Sequence, residues 1–166
     1  MNKPLRSAQG IVKIVGILCS LMILGYYRDF LFKTINGLLK AWDFDVDYVM
    51  PASLNFLENY QYETLLNIKW ALTLFFSILY LILALITIRM LFKERKYFRI
   101  TIASYIGITL LSFTFIGIGY LFHSTSEKMY EFARYFMGMA QSPIILMILI
   151  PAFKIAEKEI PEPESN

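Results

Sequence analysis

Two long apolar runs flanking a short basic connector constrain this chain more than any other feature. Residues 70–88 read WALTLFFSILYLILALITI and residues 100–122 read ITIASYIGITLLSFTFIGIGYLF, and neither run contains an Asp, Glu, Lys or Arg. Each matches the roughly 20 apolar residues with which a helix crosses ~30 Å of hydrocarbon. Between them lies RMLFKERKYFR, where Arg89, Lys93, Arg95, Lys96 and Arg99 face the single acid Glu94. A connector so short and basic belongs on the cytoplasmic side of a membrane, and that fixes the expected topology of the rest.

Composition agrees. The 166 residues are 57% hydrophobic and only 17% charged, against about a quarter charged in an ordinary soluble domain. A net charge of +3 is too small to point to nucleic acid, and its distribution speaks of orientation. Cys19 is the one cysteine and His123 the one histidine, so the chain holds neither a disulfide framework nor a multi-histidine metal site. One small integral membrane domain is expected.

The amino-terminal region carries Lys3, Arg6 and Lys13 with no acid before Asp29. An apolar run over 11–27 follows, and Lys13 is close enough to its end to snorkel to the interface. Gly25-Tyr26-Tyr27-Arg28-Asp29 offers no small-x-small cleavage site, and Gly16-Ile17-Leu18-Cys19 is no lipoprotein box. The expectation is a retained first span with its amino terminus inside. Beyond it, Leu31, Ile35, Leu38 and Trp42 recur at helical spacing, with Lys33, Asn36 and Lys40 between them. That pattern suits a short helix lying in the outer interface, or a plain extension of the first helix into water. Asp43-Phe44-Asp45-Val46-Asp47-Tyr48 alternates acids with apolar residues and reads as a short extended segment. A calcium loop would need Gly where Tyr48 stands and Glu where Leu54 stands. From Ser53, Leu54, Leu57 and Tyr60 suggest a helix running into the second span, with Lys69 and Trp70 at the interface. The segment 28–69 holds six acids and four bases, the acid-leaning loop expected outside.

After Phe122 the turn HSTSEKMYEFAR is short and charge-balanced, and a fourth apolar run covers 135–153. Pro143 has no N–H for the carbonyl of Met139, so a kink is expected there. Residues 156–166 are polar and Pro/Glu-rich and read as a disordered cytoplasmic tail. Small residues recur four apart in every run: Gly16 and Ser20, Thr73 and Ser77, Ala103 and Gly107, Gly138 and Ser142. Ala103, Gly107, Thr114 and Gly117 form one stripe on the third helix. Such stripes let membrane helices approach closely, which favours a compact bundle. The fold expected is therefore all-α, an integral membrane four-helix bundle with a short amphipathic segment between helices one and two. Its helices cover about 11–27, 70–88, 100–122 and 135–153.

Chemistry is thin. No run carries a carboxylate away from its ends, as ion-coupled transport normally requires. Cys19 lies midway along the first helix and His123 at the outer end of the third, on the order of 10 Å apart in depth. A Cys/His dyad is not expected, nor is any cofactor; Cys19 reads as a packing residue and His123 as interfacial. The charged spots that stand out are Arg28-Asp29 and Arg134 on the outer face, with Gln141 and Pro143 inside the fourth run. These five are the candidate partner-contact residues.

Arg28-Asp29-Phe30-Leu31-Phe32 after a first helix resembles the charged-aromatic segment of the exosortase F system-associated membrane proteins of Bacteroidetes. The closing stretch FARYFMGMAQSPIILMILIPAF is similar to that family's last helix: Arg134 and Tyr135, then Gln141 and Pro143 with Ser142 between them, then Ile150-Pro151-Ala152-Phe153. The similarity in helix order and length covers residues 11–155. It implies an accessory role beside a membrane sorting transpeptidase (an exosortase) in the bacterial inner membrane, with no catalytic residues to carry over. Partners expected are the lipid bilayer and that transpeptidase or a second copy of the chain. The competing expectation is a small oligomeric transporter or channel, for which Thr114, Gln141 and Ser142 would supply polar groups.

Overall fold

The computed structural model describes residues 8–122 and 126–159, and every regular element among these is helical, with no strand. In chain order the elements are α1 (Ala8–Phe44), a 3-10 helix (Ala52–Asn59), α2 (Tyr62–Leu91), α3 (Arg95–Leu121), α4 (Ser126–Ala140) and α5 (Ile144–Glu159). Three helices, α1, α2 and α3, are long and apolar enough to cross a membrane, and α4 with α5 brings the number to four if that bent pair is one span. The chain divides into two compact units, residues 1–78 and 79–166, with α2 passing from the first to the second.

In the first unit α1 is one helix of 37 residues. At 1.5 Å per residue it is about 55 Å long, nearly twice the hydrocarbon thickness. The expected break near Arg28 is absent: no proline interrupts 28–44, and the amphipathic stripe is the same helix carried onward. The stripe does not lie open to the interface either. Ile35, Leu38 and Leu39 are buried with Leu54 and Leu57 of the 3-10 helix and Leu65 of α2. Trp42, expected on that stripe, is exposed. Tyr48 lies over Gly37 so closely that a Cβ there would overlap its ring and oblige that side chain to move.

The helix stops by a Schellman closure. Asp45 takes a left-handed φ of 50°, and the Val46 N–H donates to the Ala41 carbonyl at 3.3 Å. The extended segment expected over 43–48 is therefore the last turn of α1 and its cap, followed by irregular chain. The helix expected to run from Ser53 into the second span is split at Tyr60, where the 3-10 helix ends.

The second unit has α4 lying along α3. Ser112 of α3 donates its hydroxyl to the Ala133 carbonyl of α4 at 2.7 Å, and Phe115 stacks on Phe132 and Phe136 at 5.6 and 5.4 Å. At the other end Phe92, Tyr97 and Phe153 form a ring cluster, with centroids 4.6 to 5.5 Å apart. α4 begins at Ser126, so residues expected in an outer turn are helical. α5 runs to Glu159, so the first residues of the expected tail are helical as well. His123 and residues 160–166 lie outside the described residues.

The small-residue pairs divide. Thr73 is buried and Ser77 half-buried, as expected of a packing face, whereas Gly16, Ser20, Ala103, Gly107, Thr114 and Gly117 are exposed. A Cβ on Gly16, Gly107 or Gly117 would meet nothing within 4 Å. The face of α3 that packs carries Tyr97, Thr101, Tyr105, Ser112 and Gly119 instead.

Candidate functional site

The expected fourth helix is a broken one. α4 and α5 meet at a bend of 60° across residues 141–143. Without an N–H on Pro143, the Met139 carbonyl would be left open. Ser142 fills the gap twice, donating its N–H at 3.2 Å and its hydroxyl at 2.9 Å to that carbonyl. The same hydroxyl accepts from the Ile144 N–H at 3.4 Å, and the Met147 N–H donates to the Pro143 carbonyl at 3.0 Å, which starts α5. A serine beside the proline thus converts a kink into a capped break between two helices.

Gln141 sits at this break and is buried, only 3% exposed. Its N–H is shared by the Met137 and Gly138 carbonyls, both at 3.2 Å. Pro143 is half-buried next to it. The bend borders a hollow of about 390 Å³ lined by Glu131, Arg134, Tyr135, Gly138, Met139 and Ile144. Arg134 is exposed there and has no carboxylate within ion-pair distance among the described residues. Three of the five expected residues, Arg134, Gln141 and Pro143, thus belong to one bend. Gln141 and Pro143 shape it, and Arg134 reaches outward from it.

Arg28 and Asp29 lie in the first unit. Their side chains pair with each other at 2.7 Å, and the Arg28 guanidinium also stacks 5.4 Å over the Phe32 ring. Adjacent residues on a helix do not share a face, so this pair is a surface ion pair worth little to stability. Cys19, expected as a packing residue, is exposed. Its stretch of α1 has almost no cover: Val15, Leu18, Met22, Ile23 and Tyr26 are all more than half exposed, and Leu21 is buried.

Among the described residues no three His, Cys, Asp or Glu side chains gather as a metal set would. Sequence reasoning named Ser142 as a small or polar residue and missed its role as a backbone substitute at the break. Compared with known protein families, curated proteins and solved structures, the chain matches none. The fold defines the chain by class alone: its described residues form an all-helical structure with three to four helices of membrane-spanning length and apolarity.

Proposed function

We propose that this chain is a multi-pass protein of the bacterial cytoplasmic membrane with both termini inside. In this reading it is a non-catalytic accessory subunit that holds a membrane partner, an exosortase-type sorting transpeptidase. The observation that carries the reading is the division of α1. Its second half is fixed in a buried aliphatic core, while its first half presents an apolar surface that the chain itself leaves almost uncovered. A helix anchored at one end and bare at the other is preorganised to receive another helix, since the ordering of its backbone is already complete. The outward charges Arg28, Asp29 and Arg134 add directional contacts at the outer interface. The similarity of residues 28–32 and 132–153 to the exosortase F-associated family supports the choice of partner.

The experiment is detergent pull-down of a tagged chain from its native membrane. The transpeptidase is expected with the native chain and with a Cys19→Ser/His123→Ala variant. It is expected to be lost from an Arg28→Ala/Asp29→Ala/Arg134→Ala variant that inserts at normal levels. The opposite pattern contradicts the accessory reading and favours an enzyme. Topology is tested by single cysteines at Asp45 and Lys96 in a Cys19→Ala background. An impermeant thiol reagent should label the first and spare the second in intact cells.

A further inference from the structure

We propose that the cytoplasmic end of the α2–α3 hairpin is a binding site for an anionic phospholipid. Its acyl chain would lie in the groove between the helices, and its phosphate on Arg89, Arg95 and Arg99. On α2, Ile82, Leu85, Ile86, Arg89 and Met90 occupy one face, being three, four, seven and eight residues on from the first. On α3, Arg95, Phe98 and Arg99 do the same. The turn between Leu91 and Arg95 is short, and the two faces border one open groove of about 600 Å³. Its walls are aliphatic and aromatic, and Arg89, Arg95 and Arg99 border it, all three exposed.

The charge arithmetic of the connector favours an anion here. Glu94, its single acid, is engaged at 2.7 Å by Lys96, and Lys96 also lies 4.9 Å over the Tyr97 ring. Neither side chain lines the groove. No carboxylate among the described residues lies within ion-pair distance of the three arginines. No side chain caps the start of α3, so its first-turn N–H groups add to the positive field. Three planar forks match the oxygens of a phosphodiester, which lysines would meet only as point charges. Basic pockets between spans on the cytoplasmic side are where anionic headgroups are held. The apolar walls distinguish a lipid from a soluble phosphate, because only a lipid has a chain to fill them. The inference needs a bilayer around the hairpin and does not depend on any protein partner.

The test uses the full chain in a neutral detergent, with bound lipid read by native mass spectrometry. Phosphatidylglycerol and phosphatidylcholine of identical acyl chains are the probes. The native chain should retain phosphatidylglycerol in preference. An R89Q/R95Q/R99Q variant should lose on the order of a hundredfold in that affinity, roughly fivefold for each charge removed. Because those charges also orient the hairpin, an R89K/R95K/R99K variant keeps the charge and removes the forks, and should bind several-fold more weakly. I86W keeps every charge, fills the groove and should abolish the preference. Glycerol phosphate, a headgroup without chains, should fail to displace the bound lipid. Equal retention of the two lipids by the native chain overturns the proposal, as does an unchanged preference in the glutamine, lysine or I86W variant. Displacement by glycerol phosphate would make the site one for a soluble anion and overturns it equally.

Discussion

The core around the second half of α1 and the packing face of α3 are built on opposite principles. In the first, the clustered buried residues are aliphatic: Ile35, Leu38, Leu39, Leu54, Leu57 and Leu65. That is the inside of a protein folding in water, where each buried side chain contributes about 1.5–3 kcal/mol. In the second, α3 buries Tyr97, Thr101, Tyr105, Ser112 and Gly119, while Ile106, Leu110, Leu111 and Phe113 are exposed. A helix with that arrangement would be inside out in water. In lipid it is as expected, because hydrocarbon gives Leu no reason to hide, and helices associate through small residues, hydroxyls and close packing. The contrast teaches where along the chain the solvent changes. The carboxy-terminal half of α1 and the loop behind it form a core of aqueous type, and α3 is dressed for a bilayer.

Substitutions should separate the two regimes. The largest effect belongs to the aqueous-type core: Leu65→Ala should cost about 2–5 kcal/mol, measured as a loss of thermal stability in detergent. In the second unit the corresponding injury is overpacking. Ala84, fully buried on α2, should tolerate Leu only at about 1–3 kcal/mol. Ser112→Ala removes the hydroxyl that joins α3 to α4 and should cost about 0.6 kcal/mol, the ordinary size of a hydrogen bond between membrane helices. Ile106→Ala, on the exposed face of α3, should stay within about 0.5 kcal/mol of the native chain. A loss at Ile106 as large as that at Leu65 would erase the distinction between the units.

Much of this was legible in the sequence, and the failures have physical causes. Charge-free runs at 70–88 and 100–122 locate α2 and α3 because apolar length is set by the bilayer. The stripe Leu31, Ile35, Leu38 was legible as helical. Its cover was not, since the same stripe serves an interface or a leucine from a distant loop. Pro143 announced the break by its missing N–H, whereas the rescue of the Met139 carbonyl by Ser142 depends on a rotamer. The stripe Ala103, Gly107, Thr114, Gly117 misled, because a glycine facing outward and a glycine facing a neighbour are the same letter. Of the candidate residues, Arg134 is exposed and Gln141 is buried inside the bend.

The most direct test of the inside-out account is the environment of Leu110, which is 61% exposed on α3. A nitroxide on a cysteine at this position, in a Cys19→Ala chain reconstituted into bilayers, reports its surroundings through collisional relaxation. The account predicts strong relaxation by dissolved oxygen and little by an aqueous nickel chelate, with the reverse for a label at Asp45 beyond the end of α1. A label at Leu110 relaxed by the nickel chelate as readily as one at Asp45 would mean that α3 faces water, and would contradict it.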